Sequence, residues 1–154
     1  MLEAIPTSLF SKNIRLQQQN ELVGEVDVSV WREKARLELQ EGTYELRREG
    51  FCSGDFLLEQ DGKIIARASK PSIFQCSFEV DLPTRHVTLR KLSVWNRRFG
   101  LFEGERQIGS VYPQGIFTKR SSIDLPADWP LASRAFVFWL AFLVWKRQNA
   151  AAAS

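Results

Sequence analysis

The chain has 154 residues, of which 44% are hydrophobic and 25% are charged, and its formal net charge is +3. These values are typical of one globular domain with a sizeable core, and the charge is too small for a dedicated nucleic-acid binder. The two cysteines, Cys52 and Cys76, are too few for a disulfide scaffold and lack a CxxC spacing, so both are expected to be reduced and buried.

Residues 1–11 are predicted to be an N-terminal segment that precedes the strands. An acid stands at position 3 and no long apolar run follows, so this segment is not a secretory signal. A cytoplasmic location is therefore expected.

Residues 12–126 are predicted to form β-strands, because apolar and polar residues alternate along them. Val26, Val28 and Val30, for example, alternate with acidic and hydroxyl side chains. Turn signals separate the runs, and Asp61-Gly62 suits a type I′ hairpin. About ten strands with one face in a core predict an antiparallel sandwich or barrel.

Part of this region repeats. Residues 56–83 shifted by 43 positions align with residues 99–126, and both copies end in Asp-Leu-Pro. The shared unit is a hairpin, a loop and a strand, which predicts a sheet built from similar pieces; chance similarity between strands is the alternative.

A helix is predicted over residues 129–147, with Asp128 as its N-cap and a frayed tail over residues 148–154. Its apolar run, Ala135 to Trp145, is 11 residues long, against roughly 20 needed to cross a bilayer. Apolar side chains point in every direction around it, so it is buried on all sides or lies in lipid. A closed β-barrel threaded by the helix would bury it completely, with these side chains in the core: Phe136, Phe138, Trp139, Phe142, Leu143 and Trp145.

The order of these elements resembles the tubby-like superfamily, in its LURP-one-related and phospholipid scramblase-like branch. The stretches YELRREGFCSGDFLLEQDGKIIARASKP and FGLFEGERQIGSVYPQGIF, followed by the apolar helix, carry the resemblance. It implies a single tubby-like domain over residues 1–154: a mainly β fold with a closed antiparallel barrel around a central hydrophobic helix. The barrel of that family has twelve strands, and this chain is short for it, so some strands must be short or fewer. The resemblance also suggests phospholipid binding, because tubby domains bind phosphoinositide head groups; the polycysteine and proline-rich segments of animal scramblases are absent here.

Motifs for catalysis or metal binding are missing. His86 is the single histidine and is predicted to face outward, in phase with Thr84 and Thr88. There is no GxSxG, Walker or GxGxxG motif and no pair of carboxylates with a claim to acid–base work. We expect no enzymatic activity, no metal and no cofactor.

Basic residues cluster in the second half of the chain, with Trp95 among them. Two interpretations are open: a solvated outer strand face, or a surface that contacts anionic lipid head groups. The candidate lipid-binding residues are Arg85, Arg90, Lys91, Arg97, Arg98, Lys119 and Arg120.

The preferred hypothesis is a non-enzymatic binding or scaffold module in the cytoplasm, peripheral at a membrane, whose partner is an anionic membrane surface or another protein and not nucleic acid. The alternative is a tail-anchored membrane protein that uses residues 131–147. A third hypothesis is an enzyme whose site is assembled from isolated side chains at the rim of a barrel.

Overall fold

The computed structural model describes residues 1–7, 12–29, 32–50, 54–70, 77–93, 95, 97–115 and 120–153, with the side chains of 152 and 153 left out. Within these ranges the chain forms twelve strands and one helix. The elements are β1 Leu2–Pro6, β2 Asn13–Gln18, β3 Glu21–Val28, β4 Lys34–Leu39, β5 Gly42–Arg48, β6 Phe56–Gln60, β7 Lys63–Ser69, β8 Ser77–Leu82, β9 Arg85–Lys91, β10 Phe99–Glu103, β11 Arg106–Pro113, β12 Ser121–Asp124 and α1 Leu131–Ala153.

The strands form a closed antiparallel barrel in which each strand pairs with its neighbours along the chain. The first and last strands close it, with Leu2 opposite Ile123 and Ala4 opposite Ser121. The predicted barrel is thus confirmed, but the prediction of about ten strands was too low. In particular, β1 lies within the predicted N-terminal segment, because a five-residue strand that ends in Pro6 is too short to show periodicity.

The connections between strands are short at one end of the barrel and longer at the other. Two-residue turns at 19–20, 40–41, 61–62, 83–84 and 104–105 form one end, here called the hairpin end. Asp61 and Gly62 have φ of 52° and 78°, as a type I′ turn requires. At the opposite end, here called the loop end, β1, β3, β5, β7, β9 and β11 finish, and longer connections lead from each of them to the next strand.

The two repeated segments have the same hairpin structure, and a third hairpin of the barrel shares it. The hairpins β2–β3, β6–β7 and β10–β11 each carry a register shift directly after a buried leucine: Leu16, Leu58 and Leu101. Each leucine is paired with an apolar residue of the preceding strand, namely Ala4, Leu46 and Leu89 respectively. The barrel therefore consists of three similar four-strand units, and β1 completes the third unit beside β12.

Helix α1 runs through the barrel from the hairpin end to the loop end. Phe136, Val137, Trp139 and Leu140 have no exposed surface, and the strands that surround them contribute fully buried side chains such as Leu37. Phe138, Leu143 and Trp145 are also buried and Phe142 is partly buried, so the helix is covered on all sides as expected. Most of residues 131–147, which a tail anchor would place in lipid, are buried inside the barrel in this fold.

The ends of the helix differ from the predicted ones. It begins at Leu131, and the carbonyl of Pro130 accepts its first hydrogen bond from the N–H of Arg134, so Asp128 lies before the cap position. At the other end the helix continues to Ala153, where a frayed tail was predicted. Alanine is the best helix former, which explains how the alanine run extends the helix.

Candidate functional site

Most of the predicted basic residues lie toward the loop end of the barrel. Arg90 and Lys91 are at the last positions of β9, Arg97 and Arg98 are in the β9–β10 connection, and Arg120 precedes β12. Arg85, the first residue of β9, lies at the hairpin end, so it is not part of the same surface. Lys119, Cys52 and Cys76 lie outside the described residues.

The two halves of the chain carry opposite net charge. Residues 1–83 contain ten Lys and Arg against fourteen Asp and Glu, whereas residues 84–154 contain eleven against four. No acidic residue occurs in 82–102 or in 106–123. Because β9 to β12 are neighbours in the barrel, this charge asymmetry makes one side of the wall and its loops positive.

A cleft of about 420 Å³ opens between the β9–β10 and β11–β12 connections. A backbone hydrogen bond of 2.9 Å closes the base of each connection, from Leu92 N–H to the Arg98 carbonyl and from Gln114 N–H to the Arg120 carbonyl. The cleft is lined by Trp95, Arg97, Arg98, Tyr112, Pro113, Gln114 and Gly115. We refer to these residues as the loop-end cleft.

Neighbouring side chains hold both guanidinium groups of the cleft. The Arg98 guanidinium carbon lies 4.0 Å from the centre of the Tyr112 ring, which is a cation–π distance. Arg97 donates a hydrogen bond of 2.8 Å from Nη2 to Oδ1 of Asn149, on the last turns of the helix. Both side chains are exposed to solvent.

One wall of the cleft is fixed by Gln114. Its Nε2 donates to Oε2 of Glu3 at 2.8 Å and to Oγ of Ser122 at 2.9 Å. Glu3 belongs to β1, so the closure of the barrel positions this wall. Tyr112 and Gln114 were not among the predicted site residues; the only signal for them in the sequence is their place in the second copy of the repeat.

Trp95 is the most exposed large hydrophobic residue among those described. It is 94% exposed, at the tip of the β9–β10 connection, and the neighbouring Leu92 is 40% exposed. The Ser93 hydroxyl accepts a hydrogen bond of 3.1 Å from the backbone N–H of Trp95, which shapes the tip. A fully exposed indole loses the benefit of burial, so this position favours contact with something outside the chain.

His86 faces solvent, as predicted, but it is not isolated. Protonated His86 donates from Nδ1 to Oδ1 of Asp81 at 2.6 Å and from Nε2 to Oε2 of Glu79 at 2.7 Å. These hydrogen bonds raise the pKa of His86 above its ordinary value. The two carboxylates occupy opposite sides of the ring, and among the described residues no three His, Cys, Asp or Glu side chains are grouped to hold a metal ion.

Two further findings bear on the site. Within the described part of the chain, no helix combines the length and the apolar character needed to cross a membrane. Comparison with known proteins gave no match to a family model, to a curated protein or to a solved structure.

Proposed function

We propose that the protein is a non-enzymatic binding module of tubby-like fold, similar to the LURP-one-related and scramblase-like branch, that associates with anionic phospholipid head groups through the loop-end cleft. It would act in the cytoplasm, peripherally at a membrane surface. The observation that carries the proposal is the near-complete exposure of Trp95 directly beside the exposed cations Arg97 and Arg98.

The chemistry of the cleft suits the boundary between lipid and water. An indole places its apolar ring at the level of the head groups and its N–H in a wet layer. Each Lys or Arg near an anionic surface contributes about 1 kcal/mol. The charge asymmetry directs the same side of the barrel toward a negative surface, and the acidic half would face away from it.

Vesicle sedimentation tests the proposal. Vesicles of phosphatidylcholine alone are compared with vesicles that also contain phosphatidylserine, a phosphoinositide or cardiolipin. We expect binding only to the anionic vesicles, weakened by added salt because screening reduces the attraction. Equal and negligible binding to every composition would contradict it.

Substitutions in the cleft test whether anionic vesicles bind there. Replacing Arg97 and Arg98 together with Gln should lower the partition coefficient about 30-fold, the equivalent of two contributions of about 1 kcal/mol. The matched control replaces two other exposed arginines, Arg15 and Arg36, which form ion pairs with Glu25 and Glu38. The control variant removes the same net charge and should retain most of the vesicle binding. An equal loss of binding in both double variants would indicate non-specific electrostatic attraction.

Trp95 provides an independent measure. Trp95→Ala should weaken binding to the anionic vesicles while leaving the melting temperature unchanged, because this side chain is 94% exposed and its loss removes no core contact. Lipids with brominated acyl chains should quench tryptophan fluorescence in the native protein and not in the Trp95→Ala variant.

A further inference from the structure

Arg134 is a buried cation in the first turns of the helix, at the hairpin end of the barrel. It is only 6% exposed. No described residue accepts a hydrogen bond from its buried Nε, and its guanidinium forms no ion pair within the described chain. A largely buried cation whose Nε has no acceptor is costly, so an anion beside it would be stabilising.

The field of the helix adds to that positive charge. The first turn of α1 contains no acidic residue, and the first N–H groups of a helix have no acceptor within the helix. The aligned peptide dipoles make this end positive, where an anion is stabilising and a cation is not. Burial lowers the pKa of Arg134, and the negative charge of Asp128 acts in the opposite direction without forming an ion pair at contact distance.

Trp129 supplies a second unused donor next to the same turn. It is 5% exposed, and its Nε1 has no acceptor among the described residues. The guanidinium carbon of Arg85 lies 5.1 Å from the centre of the Trp129 ring, and the same guanidinium forms an ion pair of 3.4 Å with Glu103. Side chains on a helix lean toward its N-terminus, so the Arg134 side chain leans back toward the turn that follows Trp129.

We propose that Arg134, the Trp129 indole and the free N–H groups at the start of α1 form a binding site for a small oxyanion, a phosphate or a carboxylate. A guanidinium matches two oxygens of such a group with parallel N–H donors, and N–H groups at a helix start supply further ones. The site lies at the hairpin end, opposite the loop-end cleft, and it does not depend on the membrane proposal.

The test follows the indole N–H of Trp129 by NMR while phosphate is added to the intact protein, with chloride at equal ionic strength as the reference. Trp129→Phe assigns the resonance among those of the five tryptophans. We expect a saturable shift with phosphate and none with chloride; sulfate and acetate are titrated in parallel as other oxyanions. The absence of a saturable shift with all three oxyanions overturns the proposal.

Variants of Arg134 decide whether the shift reports this site. Arg134→Met should weaken phosphate binding at least about tenfold, since hydrogen bonds to a charged group are lost, and Arg134→Lys should give an intermediate loss. The Arg97 and Arg98 double variant should bind phosphate with unchanged affinity. Unchanged binding in Arg134→Met overturns the proposal, and if that variant does not fold, unchanged binding in Arg134→Lys does so.

Discussion

The indole Nε1 of Trp145 donates a hydrogen bond of 2.9 Å to the backbone carbonyl of Arg97. The Trp145 ring also packs 6.2 Å from Phe99, the first residue of β10. The helix that fills the barrel therefore also holds one side of the loop-end cleft, and the position of Arg97 depends on core packing.

Trp145→Phe should lower the free energy of unfolding by about 1–3 kcal/mol, because it removes that hydrogen bond and part of a buried ring. Trp129→Phe, measured in chloride buffer, is the matched control, since the Nε1 of Trp129 has no described acceptor. Hydrogen exchange in residues 92–98 should accelerate in the first variant only. Equal exchange in both variants would show that the hydrogen bond does not hold the connection.

Glu33 ties the helix to the β3–β4 connection by accepting from two arginines. Arg48 Nη1 donates to its Oε2 at 3.0 Å, and Arg147 donates to its Oε1. Glu33→Gln should cost about 1 kcal/mol of stability in low salt, and less in high salt where the charges are screened. Glu38→Gln, which breaks the more exposed pair with Arg36, should cost less. Urea denaturation of both variants at two salt concentrations checks this, and equal costs would contradict it.

Gly109 has no room for a side chain, although the equivalent position of the β6–β7 hairpin holds Ala66. A Cβ on Gly109 would lie 2.5 Å from the carbonyl oxygen of Asp124 and 2.8 Å from Cδ2 of Leu125. Gly109→Ala should therefore destabilise the protein by about 1–3 kcal/mol. The reciprocal change Ala66→Gly should cost about 0.5–1 kcal/mol, through backbone entropy. Thermal and urea unfolding measure both, and a neutral Gly109→Ala would mean that β12 can shift outward at no cost.

His86 should make stability depend on pH. Its folded-state pKa is raised by hydrogen bonds to Asp81 and Glu79, so the folded state binds the proton more tightly than the unfolded state does. The stabilisation is present in full below the ordinary pKa of about 6.5 and is lost as the pH rises through the raised value.

The comparison is between the native protein and His86→Gln in urea at about pH 6 and about pH 9. The native protein should be the more stable of the two at the lower pH, and the difference should shrink at the higher pH. In Asp81→Asn, the NMR titration midpoint of His86 should fall. A constant difference across the range, or an unmoved midpoint, would contradict the assignment.

Local sequence patterns predicted the structure correctly where a few consecutive residues decide the conformation. Asp61-Gly62 predicted its hairpin because both residues must adopt positive φ, and the aromatic run before Lys146 predicted a helix covered on every side. The alternation along β3 and β4 predicted which face meets the core. Each of these inferences concerns a few consecutive residues and the solvent they avoid.

Other features depend on which strands become neighbours. Arg85 and Arg90 are five positions apart, yet they lie near opposite ends of the barrel, because a strand advances about 3.3 Å per residue. Tyr112 and Gln114 line the same cleft as Arg97 and Arg98 because β9 and β11 both finish at the loop end. β1 could not be predicted from its five residues, since its partners are β2 and the distant β12.

The strand-rich class, the repeat and the buried helix can therefore be derived from the amino-acid sequence, because solvent avoidance acts through local periodicity. Four features emerge only in the folded protein: the closure by β1, the third copy of the repeat, the residues of the loop-end cleft and the burial of Arg134. These depend on pairings between distant segments, which become definite when the barrel closes around the helix.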